Sequence, residues 1–333
     1  MTDQIYPLTF HPQFRDYIWG GRNLERLGRE LPDGIVAESW DISGHLSSPT
    51  IVDAGPLEGH ALTDLVSDLG LDLLGRCNQD ALERNKFPLL VKLLDANKDL
   101  SVQVHPDDKY AYAYENGDFG KTEMWYVLHA RPDAQIIYGV RPNVTRERFR
   151  KALEAGNLEP CMHYLPVKAG DAILLRAGAL HALMSGVVAV EIQQNSDLTY
   201  RVYDWNRVGP DGKGRPLHID RALDVIDFDL VEPGPYIPRT IESGSGITRQ
   251  LISQSHAFTV EKISLDAGAS YAGHCNGETF EIWGCLEGES LVEWDGEPVS
   301  LPAVRFTLLP AQLGEFRVSA TTPATLLRAY SCH

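Results

Sequence analysis

Residues 167–182 read Val167-Lys-Ala-Gly-Asp-Ala-Ile-Leu-Leu-Arg-Ala-Gly-Ala-Leu-His-Ala182. A Gly-Asp pair opens a short apolar run, an Ala-Gly pair closes it, and His181 follows directly. Turn residues at both ends of so short a run predict one strand of a many-stranded, tightly turning sheet. Working outward, the same rhythm recurs at 134–140, 187–193, 258–265 and 306–309, each run broken by Gly, Pro, Asn or Asp. This spacing predicts an all-β sandwich or barrel rather than strand–helix alternation. Helical patterns are fewer and grouped in the first two-thirds of the chain. Residues 62–74 place Leu62, Leu65, Val66, Leu69 and Leu73 on one helical face. Thr145 can cap a helix through Phe149 and Leu153 that Gly156 would end, and 220–228 offers a third amphipathic stretch. These read as helical insertions on a β framework.

Both periodicities fail at Glu232-Pro-Gly-Pro-Tyr-Ile-Pro238, which places a boundary there and predicts two domains, 1–235 and 236–333. The second carries echoes of the first: Met124-Trp-Tyr-Val-Leu-His-Ala130 matches Ile282-Trp-Gly-Cys-Leu-Glu-Gly288, and Ile173–His181 matches Thr307–Glu315. An internal duplication is the expectation. The formal charge of −16 argues against a nucleic-acid surface, which would need a basic stripe. It leaves room for a small anionic ligand held by a few converging cations. No apolar run approaches the roughly 20 residues of a membrane span, and Met1-Thr-Asp-Gln4 lacks a signal-peptide layout. Five scattered cysteines without a CxxC pair imply neither a disulfide framework nor a thiolate metal site, and a reducing cytoplasm fits best.

Three segments carry chemistry. In Asp99-Leu-Ser-Val-Gln-Val-His-Pro-Asp-Asp108, strand alternation points Gln103 and His105 the same way, and Pro106 ends the pairing. Gly120-Lys-Thr-Glu-Met-Trp-Tyr-Val-Leu128 sets Glu123 at the mouth of an apolar strand. The third is the opening segment with His181. Two imidazoles, a carboxylate and an amide oxygen suit a borderline divalent ion. Zinc takes such donors, and manganese, cobalt or iron could also occupy them. Singly, each residue is as well explained as an ordinary hydrogen-bonded polar group of a strand.

The Gly-Asp, Ala-Gly and His pattern resembles the second conserved motif of cupins. Phe87-Pro-Leu-Leu-Val-Lys-Leu-Leu-Asp-Ala-Asn97, Leu100–Asp108, Gly120–Tyr126 and Glu191-Ile-Gln-Gln-Asn-Ser-Asp-Leu-Thr-Tyr-Arg-Val-Tyr-Asp-Trp-Asn-Arg207 resemble, in order, the type I mannose-6-phosphate isomerases of the short bacterial branch. The resemblance implies a mainly β fold of two cupin-type β-barrels (jelly rolls) with helical insertions in the N-terminal half. It implies one zinc ion per chain on Gln103, His105, Glu123 and His181, and an essential arginine at Arg201. The C-terminal repeat departs from this: Glu281 aligns with Glu123, Glu315 stands where His181 does, and no Gln-x-His occurs. The second barrel is therefore expected to be structural.

The implied reaction interconverts mannose 6-phosphate and fructose 6-phosphate through an enediol(ate). A Lewis acid would polarise the carbonyl, and Arg201 would meet the developing charge. Glu191 and Asp197 are candidate bases, with Glu191 alternatively a partner of Arg201 or of a ligand histidine. Lys92, Lys121 and Arg207 could contact the phosphate, Ser39 and Trp40 could line the sugar pocket, and Lys213 and Arg215 read as solvated turn residues. The expected partner is a small phosphorylated sugar, with neither nucleic acid nor membrane, and the protein a monomer or homodimer. The competing readings are a metal-binding cupin of other chemistry, such as a dioxygenase, and a non-catalytic sugar-binding cupin.

Overall fold

The computed structural model of the chain describes residues 5–208 and 212–331. The N-terminal tetrapeptide and Cys332 of the sequence reading lie outside them. The chain forms a succession of antiparallel strands arranged in two pairs of large sheets. In the first six-stranded sheet the order is Ala172–Leu175, Glu123–Ala130, Val187–Gln194, Leu89–Ala96, Glu38–Ser43 and Gln13–Arg15. A five-stranded sheet completes this half, in the order Tyr200–Tyr203, Val102–Val104, His181–Leu183, Gln135–Val140 and Met162–Pro166. The fold class is the mainly β, cupin-type one expected from the sequence.

The second half repeats the plan. Its six-stranded sheet runs Arg305–Leu309, Glu281–Glu287, Ala324–Tyr330, Thr259–Leu265, Ile247–Gln254 and Arg239–Gly244. Registers match as well as order: Glu123 pairs with Leu175, and Glu281 pairs with Leu309. The correspondence of six strands and their register supports the duplication read from the sequence.

Strand alternation divides the side chains between two compartments. From Leu89–Ala96, Val91 and Leu93 point outward into a core shared with the second half, while Leu94 and Ala96 point into the first half's interior. Met124, Tyr126, Val188, Val190 and Ile192 join the shared core, and Trp125, Val127, Val187 and Ala189 the interior. Ile282, Leu308, Leu327 and Ala329 meet them from the other side. A strand buried on both faces must be apolar at nearly every position, which explains its continuous runs. Paired bonds between Leu8 and Leu308, each 2.8 Å, stitch the seam.

Helices occupy the first half, as expected; among the described residues the second half has none. The reading of one helix over 62–74 is corrected to two, Leu62–Leu69 and Leu71–Leu74. Gly70 breaks them with φ 52° and ψ −123°, a conformation that glycine alone adopts without strain. The Thr145 cap is present: its side chain accepts the Arg148 N–H ahead of helix Arg146–Glu154. The third stretch folds as Ile219–Val225. Cys161, Cys275 and Cys285 are free and buried. Cys77 is disulfide-bonded, a pairing that the scattered cysteines of the sequence did not imply.

At the seam Phe87 and Phe280 are fully buried with ring centroids 4.7 Å apart. Truncating such an aromatic removes transfer energy and leaves a cavity. Phe280→Ala is expected to lower the unfolding free energy by about 3–5 kcal/mol. Urea denaturation checks this, and a loss under 1 kcal/mol would show that the halves do not depend on this contact.

Candidate active site

The interior face of the first six-stranded sheet carries Lys92, Glu123, Trp125 and Glu191, and the facing sheet supplies Gln103, His105, His181 and Arg201. Register brings the latter into line, because Gln103 pairs with His181 on one side and Arg201 on the other. The two sheets enclose a cavity of about 440 Å³ lined by Gln103, Lys92, Lys121, Glu191, Asp197 and Arg201 among others. His105, Glu123 and His181 are not among the lining residues; they lie behind Gln103 and Lys121, with donor atoms all within 4.8 Å of one another.

Each donor is prepared by its neighbours. Nδ1 of His105 lies 2.6 Å from the Leu198 carbonyl, and Nδ1 of His181 lies 2.9 Å from that of Ala179. Both Nδ1 atoms therefore carry the proton and donate, leaving the Nε2 lone pairs free. Each Nε2 sits 3.4 Å from an oxygen of Glu123. Nε2 of His105 and Oε2 of Glu123 are buried without a hydrogen bond, and Oε1 of Glu123 meets the Lys121 ammonium at 2.8 Å. Buried polar atoms seldom go unsatisfied, and a converging pair beside the His181 nitrogen fits a divalent cation. The Gln103 carboxamide lies 3.4 Å from Nε2 of His181 and can turn its oxygen inward.

Charges follow the same geometry. Burial, then His105, pushes the His181 imidazole down to about 4, and burial with Lys121 lowers His105. Both are thus neutral near pH 7, as metal ligands must be. Although burial opposes it, Lys121, 2.8 Å away, and the histidines hold Glu123 well below the usual carboxylate range. Glu191 is the opposite case: burial and the nearby Glu123 charge raise its carboxyl. It accepts the Trp125 indole N–H at 2.8 Å and lies 3.3 Å from Lys92.

Placement of the remaining residues is mixed. Asp197, Arg201, Lys92 and Lys121 line the cavity, and Arg201 is steadied by Ser101 Oγ and the Pro216 carbonyl. Trp40 is not among the lining residues; its indole lies beneath the Lys92 ammonium and donates to Glu38. Ser39 faces the other way, towards Arg29. Arg207 grips Asp204 and the Asp99 carbonyl outside the cavity. Arg215, read from sequence as a solvated turn residue, lines the cavity instead, as do Glu38 and His218. Alternation applied to Glu38-Ser-Trp40 separates Ser39 from Glu38 and Trp40; no local pattern announces Arg215.

A family description, phosphomannose isomerase type I, catalytic domain, matches residues 8–131. Mannose-6-phosphate isomerase ManA of Bacillus subtilis is 36% identical over 312 residues, covering 94% of this chain and 95% of its own. The chain belongs to the mannose-6-phosphate isomerases. The enzyme of that name from Streptococcus mutans is 38% identical over 257 residues, 77% of this chain and 78% of its own. The crystal structure of the Bacillus subtilis isomerase superposes with a TM-score of 0.86 at 34% identity, over 97% of this chain and 99% of that one. A variant of phosphomannose isomerase from Salmonella typhimurium shares the fold at 18% identity and a TM-score of 0.77, over 98% and 99% of the two chains.

Within this isomerase the second half has answered the same geometry differently. Lys92 pairs across strands with Glu191, which faces Trp125; at the matching positions Glu261 pairs with Arg328, which faces Trp283. The signs are exchanged. Arg328 reaches both Glu281 oxygens, so a guanidinium occupies the carboxylate that corresponds to Glu123. His274 lies opposite Glu315, and Glu278 pairs with Arg76. Among the described residues the only metal-type cluster is His105, Glu123 and His181.

Lys92 tests the interior charge balance. Burial would lower its ammonium pKa, yet attraction to Glu38 and Glu191 raises it above the ordinary 10.5. Its contribution is fully present below the ordinary value and declines as pH climbs through the folded one. Lys92→Met strands two carboxylates and is expected to cost about 3–5 kcal/mol. The deficit should stay constant from pH 7 to about 10 and shrink above that, read by urea denaturation at stepped pH.

Proposed function

We propose that the isomerase interconverts mannose 6-phosphate and fructose 6-phosphate with one zinc ion per chain held by Gln103, His105, Glu123 and His181. The observation that carries this is the convergence of the buried His105, Glu123 and His181 donor atoms, all within 4.8 Å of one another, beside a cavity that also holds a raised carboxyl and an arginine. Two neutral nitrogens, a carboxylate and an amide oxygen suit zinc and leave a position for substrate. The ion supplies Lewis acidity at the sugar carbonyl.

The chain's own groups do the rest. Glu191 moves the proton between C1 and C2, its raised pKa fitting a group that must both take and return it. Trp125 and Lys92 fix its carboxylate, so the acceptor is positioned before substrate arrives. Asp197, also on the cavity wall, is the second candidate for this task. Arg201 stays charged through the cycle and stabilises negative charge as the enediolate forms. Lys121 and Lys92 offset the charges of Glu123 and Glu191, and Lys121 with Arg215 can meet the phosphate. The reading extends to a cytoplasmic enzyme acting as a monomer or homodimer. No helix among the described residues is long and apolar enough to cross a membrane. Two histidines and one carboxylate would also hold iron(II); what favours isomerisation over a dioxygenase chemistry is the 36% identity with a mannose-6-phosphate isomerase over 94% of the chain.

Isomerisation of mannose 6-phosphate by the purified protein should vanish on chelation and return with zinc. A zinc-loaded protein without turnover would sink the proposal. Arg201→Ala should lower kcat by about 10²–10³-fold while metal content by elemental analysis stays at one per chain. In parallel, Glu191→Gln should abolish exchange of the C2 proton with solvent. If Asp197→Asn does so instead, the two carboxylates exchange roles.

A further inference from the structure

Strand Tyr200–Tyr203 leaves the cavity wall through a tight turn, Asp204-Trp-Asn-Arg207. Trp205 and Asn206 adopt φ of 57° and 55°, a left-handed conformation that disfavours any residue with a side chain. Such strain persists only where the surroundings impose it. Here the Trp205 indole donates to the Leu100 carbonyl at 2.7 Å, and the Arg207 N–H to the Asp204 carbonyl at 3.0 Å. The turn sets two guanidiniums on one buried carboxylate. Asp204 Oδ2 accepts Arg215 Nε at 2.8 Å, and Oδ1 accepts Arg215 Nη2 at 2.6 Å together with Arg207 Nη2. Arg207 is held in turn by the Asp99 carbonyl.

A two-point pair fixes the plane of a guanidinium as well as its position. Arg215 thereby lines the cavity with its side chain 38% exposed, and among the described residues its Nη1 has no hydrogen bond. The charge at this end does not cancel. Burial and then Arg215 lower the Arg201 guanidinium, with Arg207 adding to the effect, and Asp204 is the one carboxylate that opposes them. The other carboxylates of the cavity act elsewhere: Glu38 and Glu191 on Lys92, and Asp197 on Lys92 and Tyr17. Three guanidiniums around one carboxylate leave two positive charges over, close to what a phosphate monoester carries near neutral pH.

We infer that Asp204 is a positioning residue for phosphate recognition: backed by Arg207, it holds the Arg215 guanidinium in the cavity wall, ready to meet the phosphate of the sugar. The inference rests on the isomerase reading of this cavity. Arg207, which the sequence offered as a phosphate contact, acts through Asp204 instead. An arginine already fixed in place loses little side-chain freedom when the ligand arrives.

The test uses the zinc-loaded enzyme, with turnover of mannose 6-phosphate and calorimetric binding of glucitol 6-phosphate, which has no carbonyl to isomerise. Asp204→Asn should raise KM about tenfold or more, lower kcat less than about threefold, and weaken glucitol 6-phosphate binding in step with KM. Arg215→Gln should do at least as much, and adding Asp204→Asn to it should change nothing further, because both act through one guanidinium. Arg215→Lys, at a partly exposed position where folding is not at risk, keeps the charge and loses the two-point pair. It should bind glucitol 6-phosphate about as weakly as Asp204→Asn. Full affinity in Arg215→Lys, a loss confined to kcat in Asp204→Asn, or a further loss in the double variant overturns the inference. Normal wild-type turnover with KM unchanged in Asp204→Asn overturns it and leaves the isomerase reading standing. Weakened glucitol 6-phosphate binding in a protein without turnover does the reverse.

Discussion

Everything in this molecule turns on one strand geometry: successive side chains of the inner sheet must face opposite ways. Val91, Met124, Val190 and Ile192 on one face bury the seam, so Lys92, Glu123 and Glu191 have only the interior left to enter. A register slip of one residue would reverse the two sets, putting charges into the apolar seam. The hydrophobic seam thereby fixes the chemistry of the opposite face. The same alternation sets Ser39 and Glu38 on different sides of their strand.

Much of this was legible in the sequence, and the reason is local. Turn residues around short apolar runs announced the strands, and Gly-Asp before Ala172–Leu175 is a real turn, with Gly170 at φ 91° and the Lys168 N–H bonded to Asp171. Gln103 and His105 were readable as a pair because two positions along a strand share a face. Motif resemblance drew Glu123 and His181 into the same set, although they lie far apart in sequence, and the fold brings their donor atoms together.

What stayed hidden was decided by contacts between distant segments. Arg215 reads as a turn residue in a Gly-rich stretch and reaches the cavity only because the segment after Tyr203 folds back over it, with the His218 N–H bonded to the Arg201 carbonyl. Trp40 read as a lining residue of the sugar pocket; the approach of Lys92 places it underneath that ammonium instead. The break at Gly70 was masked by continuous apolar periodicity on either side.

The exchange of Lys92 and Glu191 for Glu261 and Arg328 has a consequence for supply. On the proposed reading, one half relies on an ion that must be found and can be taken away, whereas the other carries its positive charge covalently, on a side chain that stays protonated. Translation alone equips the second half. If the first half does take up an ion, then under metal starvation the second half's interior would remain neutralised by Arg328 and its face of the seam intact.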